Sequence, residues 1–475
     1  MYEDTIAAIS TSIGESGIGI VRISGSDAVP ILRRVFARGG GKVGGSEDAL
    51  EGEAAIGAVG DVAPLESHRV YYGHVVAPST DEIIDEALAL CMLAPRSYTR
   101  EDVVEIHCHG GPVPLQRVLL AVLQAGARLA LPGEFTLRAY LNGRIDLAQA
   151  ESVADVIRAR TERGLALAMK GLKGQLSRPV REVRQGLLRL LAYLEATIDF
   201  AEDDIPEEDV EGPLKASLEA IGRLLGTADQ GIICRQGLRV AIVGRPNVGK
   251  SSLLNVLLGS DRAIVTEVAG TTRDTLEEMA SFSGVPVCLV DTAGIAESVD
   301  PVERLGVERS RRAIEEADLC LLVIDCSEPL QPKDLEIAAS VSGKPVVVAA
   351  NKADLPRALS EDDLARLVEG APVVATSVPR REGLDRLRRA VLDAVFSGQV
   401  IQSDELLVSN PRHKEALRRA ESHLRDALAS LEAGLPVDCT SSDLRLAVEA
   451  LGEITGETAT EGLLEMIFSH FCVGK

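Results

Sequence analysis

Tryptophan is absent from the 475 residues and aromatic side chains make up only 3 per cent, so the cores must be aliphatic. Base-stacking platforms of the kind used by single-strand nucleic-acid readers are excluded as a main binding device. No Cys-x-x-Cys pair occurs among the eight cysteines, and Cys288, Cys320 and Cys326 lie in apolar runs where small buried thiols are common, which reads as a reducing cytoplasm. No apolar run is long enough to span a bilayer, and Met1 to Asp4 has neither a basic region nor an apolar core, so a soluble cytoplasmic protein with no membrane role is expected. Positive charge is also short: 50 Lys and Arg against 72 Asp and Glu leave a net charge of -22, and the chain as a whole does not advertise nucleic-acid binding. The basic residues that crowd one stretch, Arg158, Arg160, Arg163, Lys170, Lys173, Arg178, Arg181, Arg184 and Arg189, form either a solvated helix face or a patch for RNA or an acidic partner.

What is present is a phosphate-binding loop. Gly244 to Ser251 follows the apolar run Leu238 to Val243 and precedes Leu253 and Leu254, which places it between a strand and a helix. Backbone N–H groups of Asn247, Val248 and Gly249 can close on phosphate oxygens, Lys250 can reach the terminal phosphates, and Ser251, beside Ser252, can hold magnesium. Asp291, Thr292, Ala293 and Gly294 follow a second strand-like run, where an Asp accepts from magnesium-bound water and a glycine N–H meets the terminal phosphate. Asn351, Lys352 and Asp354 follow Pro345 to Ala350. A buried carboxylate there accepts two N–H donors that guanine offers and adenine does not, which selects GTP; Ser377 completes the base pocket. Ile295 stands where Ras-like enzymes place a water-orienting Gln, so the base and the positive charge must come from elsewhere. Glu303 is either a general base acting through water or an ordinary helix Glu, and Asn247 with the Thr266 to Thr272 loop offers oxygens suited to potassium.

With Gly270 to Asp274 and the ending Phe471 to Lys475, these motifs resemble the tRNA modification GTPase family MnmE (TrmE) almost end to end. The resemblance implies GTP contacts from the P-loop, from Thr266, Glu267, Val268, Ala269, Gly270, Thr271 and Thr272, and from the later motifs. It implies magnesium at Ser251 and Thr272, potassium at Asn247, Thr266, Val268 and Thr271, and catalysis by Glu303. It further implies that the N-terminal domain resembles one-carbon folate enzymes and binds 5-formyl-tetrahydrofolate or a related folate through Arg22, Glu105, Arg144 and Lys475. Cys472 takes part in the modification in this reading, against a purely structural thiol. The implied partners are a second copy through the N-terminal domain, tRNA, and the flavoprotein MnmG, which brings FAD and NADH. Val248, Ala296 and Val473 depart from the family's common Ala, Arg and Ile, and Ala296 cannot carry any role that the family's Arg at that position plays in the switch region.

The expected fold is multidomain α/β: an α+β folate-binding-like N-terminal domain at 1–143, a discontinuous α-helical domain at 144–234 and 399–475, and an inserted Ras-like P-loop GTPase domain at 235–398. Arg38 to Ser67, rich in Gly, Ala and acidic residues, is expected to be a mobile insertion. His107-Cys108-His109 reads as a strand, with both histidines on one face and no fourth ligand, so packing outweighs a metal site. Two rival functions are weighed: a ribosome-assembly GTPase switch that modifies nothing, which would not need the folate-like N-terminal domain or the Phe471 to Lys475 tail, and a folate-dependent transferase regulated by GTP, which shares the same pocket.

Overall fold

The computed structural model describes residues 4–38, 65–200, 206–259, 277–291, 311–396 and 407–474. It divides into two compact units, Met1–Glu151 with Thr455–Lys475, and Ser152–Ile454.

The first unit is built on a seven-stranded sheet of β1 (Ile6–Ile9), β2 (Gly19–Ser24), β3 (Phe36–Arg38), β4 (Arg69–Val76), β5 (Ile83–Met92), β6 (Val103–Cys108) and β7 (Arg128–Leu129), in the order β3-β4-β5-β6-β2-β1-β7. All pairings are antiparallel except β1 with β7. Alternation along the strands decides which side chains face the core. Val21 and Ile23 of β2, and Val104 and Ile106 of β6, are fully buried in a cluster with Ile31, Leu115 and Val118 from the helices Ala28–Val35 and Pro112–Gln124. The intervening residues, Arg22 and Glu105, must then emerge together on the opposite face, where they are direct cross-strand partners. The C-terminal helix Glu461–Ser469 lies against helix Glu134–Leu141 in this same unit.

The same unit holds an ionic cluster centred on a buried arginine. Arg138, whose side chain is fully enclosed, bonds the Asp4 carboxylate at 2.7 Å, Glu134 at 3.1 Å and Glu101 at 3.3 Å. Removing the guanidinium strands carboxylates in a low-dielectric site, so Arg138→Met is expected to cost the unit about 3 kcal/mol in a denaturant titration. The pH dependence has a definite sign. Burial alone would raise the Glu134 carboxyl, but Arg128, the Leu131 amide and Arg138 hold it below its ordinary 4.5. Its stabilising contribution is therefore complete above 4.5 and is lost as pH falls through the lower folded value, and Arg138→Met should move acid unfolding to higher pH.

In the second unit, long helices flank a six-stranded sheet. Leu187, Leu190, Leu191 and Leu194 recur at helical spacing in Ser177–Asp199 and are buried, and helix Pro411–Glu432 packs along helix Glu211–Gly226. The sheet comprises β8 (Leu238–Val243), β9 (Glu277–Phe282), β10 (Val285–Asp291), β11 (Leu319–Asp325), β12 (Val346–Asn351) and β13 (Val373–Ala375), ordered β13-β12-β11-β8-β10-β9 and parallel except for β9 at one edge. β10, β11 and β12 are buried along their whole length, which explains why they read as continuous apolar runs: both faces are covered. The chain leaves β8 with β11 on one side and β10 on the other, so the crevice at their carboxyl ends is a topological switch point, the place where such sheets bind ligands.

Candidate nucleotide site and a second polar face

The P-loop leaves β8 through Gly244 (φ 152°), Asn247 (φ 63°) and Gly249 (φ 99°), conformations that bend the backbone back on itself before helix Lys250–Gly259. Glycine is required by space as well as by φ. A Cβ on Gly244 would lie 2.5 Å from the Val323 carbonyl, and one on Gly249 would lie 2.4 Å from Asn351 Nδ2. Lys250 is only 6 per cent exposed. Its Nζ donates to the carbonyls of Gly244 at 2.7 Å and Arg245 at 2.8 Å, so the ammonium is held across the mouth of the loop. Burial depresses its pKa, with Asp291 pulling the other way. Ser251 Oγ donates to Asp291 Oδ2 at 3.0 Å. A hydroxyl and a carboxylate brought together at a helix N-terminus are hard oxygen donors, and they fit magnesium.

The base end is tied to the phosphate end. Asn351, at the end of β12, donates through Nδ2 to the Val248 carbonyl at 2.8 Å, and Thr376 Oγ1 lies 3.3 Å from its Oδ1. Ser377 Oγ donates to Asp354 Oδ1 at 2.7 Å, and this bond, followed by a backbone N–H, depresses the Asp354 pKa. Asp354 is half-buried, where the sequence suggested a buried carboxylate; it stands in the loop beyond β12, at the rim and not within the sheet. Lys352 takes a left-handed backbone conformation (φ 59°) and pairs with Asp325. The structure thus brings together Asn247, Val248, Gly249, Lys250, Ser251, Asp291, Asn351, Lys352, Asp354 and Ser377 around the switch point. Thr266, Glu267, Val268, Ala269, Gly270, Thr271, Thr272, Thr292, Ala293, Gly294, Glu303 and Lys475 lie outside the described residues, as does most of the expected insertion.

A second polar site occupies the first unit. Arg22 donates to Glu105 Oε1 at 2.9 Å and to the Gly474 carbonyl at 3.2 Å, while the other Glu105 oxygen lies 3.2 Å from His107 Nε2. The Arg22–Glu105 pair is mostly shielded, with side chains 19 and 12 per cent exposed, and is no routine surface ion pair. Arg144 donates to the Tyr98 carbonyl at 2.8 Å and lies 4.8 Å from that ring's centroid, with Arg22 at 6.0 Å from the same centroid. Burial pushes the Tyr98 phenol up, against its Thr136 hydrogen bond and the two cations. The chain's end is seated here: the Cys472 carbonyl accepts from the Gly133 amide at 3.3 Å, and a Cβ on Gly474 would collide with the Ile9 carbonyl at 2.3 Å. The Cys472 thiol is exposed. His109 pairs with Asp85 and His107 with Glu105, and no group of three metal-ligating side chains occurs among the described residues.

Sequence reasoning missed Tyr98, Arg138 and Asp325. A Tyr in a chain nearly devoid of aromatics was a usable signal for the first; the other two need the fold.

A glycine-wrapped lysine, a serine beside a strand-end aspartate, and an Asn-Lys-x-Asp loop at the switch point of a parallel sheet define a P-loop GTPase. The profile described as "GTP-binding protein TrmE N-terminus" matches residues 5–144, and "MnmE helical domain" matches 147–472. The chain is 51 per cent identical to the tRNA modification GTPase MnmE of Chloroflexus aurantiacus, covering 99 per cent of this chain and all of that one, and 47 per cent identical to that of Geobacillus kaustophilus, covering 99 per cent of each. Among solved structures, Aquifex aeolicus Era is 31 per cent identical over 39 per cent of this chain and 66 per cent of its own, with a TM-score of 0.27. The chain belongs to the MnmE family of tRNA modification GTPases. Among the described residues, no helix is long and apolar enough to cross a membrane.

Proposed function

We propose that this chain is a potassium-activated GTPase whose G domains dimerise across their nucleotides and which, with the flavoprotein MnmG, adds a carboxymethylaminomethyl or aminomethyl group to C5 of the wobble uridine of certain tRNAs. The observation that carries this reading is the full-length identity to MnmE relatives, which extends over the tail and the N-terminal unit that a bare GTPase switch would not need. In this reading the domains run 1–143, 144–234, 235–398 and 399–475, and the protein works in the cytoplasm.

Ser251 and Thr272 would hold magnesium, which neutralises phosphate charge when bound. Asn247, Thr266, Val268 and Thr271 would hold potassium in place of an arginine finger, and Glu303 would polarise the attacking water. Arg22, Glu105, Arg144 and Lys475 would bind the folate that supplies the one-carbon unit. The paired cations suit its glutamyl carboxylates, and a carboxylate suits the pterin amine and ring N–H. Cys472 would act in the same step; its carbonyl accepts from the Gly133 amide, and the Gly474 carbonyl two residues on accepts from Arg22. MnmG would bring FAD and NADH. The N-terminal unit would also dimerise: Val70, Tyr72 and Leu88 leave apolar surface exposed on neighbouring strands β4 and β5. Arg158, Arg160, Lys173, Arg178 and Arg189 are exposed and would meet tRNA or partner; Arg184 also donates to the Val448 carbonyl at 3.3 Å.

GTP turnover in potassium is expected to exceed that in sodium by on the order of 10-fold or more, since a cation at the transition state does the work of a charged donor. Equal rates in the two salts would remove the cation from the account.

A further inference from the structure

Strand β11 ends on Asp325, which lies beside Asn351 in parallel register. Its side chain is only 3 per cent exposed, and an ionised carboxylate so enclosed needs compensating donors. It has three. Oδ1 accepts from the Ser327 amide at 3.0 Å and the Ser327 hydroxyl at 2.6 Å, and Oδ2 meets Lys352 Nζ at 2.6 Å. The division fixes the carboxylate's orientation: Ser327 occupies one oxygen and leaves the other aimed at the ammonium. Cys326, the next residue, donates its amide to the Asn351 carbonyl at 3.0 Å, so the end of β11 is stitched to the base loop at two consecutive positions. On the other side of the pair, Lys352 holds φ at 59°, a conformation a lysine keeps only when its surroundings over-determine it. Its side chain is 34 per cent exposed, and without an anchor its four-carbon stem would sample many rotamers.

We propose that Asp325 is a positioning residue for guanine-nucleotide recognition: by fixing the Lys352 ammonium it sets the course of the lysine stem between Asn351 and Asp354. Asp325 acts through Lys352 and takes no part in the chemistry. The inference rests on reading Asn351 to Asp354 as the base-recognition loop.

The test is a double-mutant cycle on the full chain with a fluorescent GDP, using Asp325→Asn, Lys352→Met, the double variant, and Asp354→Asn as a control for the loop. Each of the first two is expected to weaken GDP binding by about 10-fold, the scale of one charge-assisted hydrogen bond. The double variant should bind no more weakly than Lys352→Met alone, because Asp325 then has nothing left to position. A merely structural aspartate would instead give losses that multiply in the double variant, and that result, or wild-type affinity in Asp325→Asn, overturns the proposal. If Asp354→Asn turns the protein to xanthine nucleotides while Asp325→Asn is silent, positioning fails and the loop assignment stands; if Asp354→Asn changes no preference, the loop assignment itself fails. Should Asp325→Asn not fold, Ser327→Ala keeps the carboxylate but frees its orientation. A smaller loss, abolished in the Lys352→Met background, supports the proposal, and no loss at all overturns it.

Discussion

Asp354→Asn is expected to exchange the protein's preference from GTP to xanthosine triphosphate, shifting the ratio of affinities by on the order of 10⁴-fold. The carboxylate is an acceptor on both oxygens, and guanine presents two N–H donors to it. Xanthine replaces the amine with a carbonyl, so it needs a donor where guanine needs an acceptor, which an amide supplies. Ser377 Oγ, donating at 2.7 Å, already fixes which Asp354 oxygen is committed internally. An asparagine can keep that bond through its carbonyl and turn its NH₂ outward. The size of the effect comes from the wrong base leaving a polar group without a partner, which costs more than a missing contact. Competition against a fluorescent guanine nucleotide measures it directly, and unchanged discrimination would contradict the guanine pocket.

Lys250→Ala is expected to lower GTP turnover by about 10²- to 10³-fold, the loss that follows removal of one preorganised charge from a transition state. Its effect on stability should run the other way. The ammonium is buried and depressed in pKa by that burial, and its partners are two carbonyls of the loop, so holding it there costs the nucleotide-free fold energy. The thermal midpoint of nucleotide-free Lys250→Ala should therefore be no lower than that of the wild type. A variant that lost turnover only because it unfolded would show the opposite.

Residues whose roles are local were legible in the sequence. Gly244, Lys250 and Ser251 announce a phosphate loop because φ, reach and hydroxyl chemistry are set within one strand–turn–helix unit, and β10 to β12 announce a parallel sheet because both of their faces are buried. Arg22 and Glu105 were half legible. Alternation places each opposite a buried apolar neighbour, but only the β2–β6 register makes them partners, 83 residues apart in the chain. Asp325 was not legible at all: at the end of an apolar run it reads as a strand terminator, and its pairing with Lys352 depends on two parallel strands ending level. The same holds for Arg138, which looks like any helix arginine until Asp4 and Glu101 arrive from distant segments. Asp354 was read as buried because its strand is; the loop carries it to the rim.

Nucleoside mass spectrometry of bulk tRNA, from cells lacking this chain and rescued with wild type or with Lys250→Ala, tests the central claim most directly. The account predicts that the C5-modified wobble uridine disappears without the chain, returns with wild type and does not return with Lys250→Ala. Unchanged tRNA in cells lacking the chain, with a defect in ribosomal subunits instead, would contradict it.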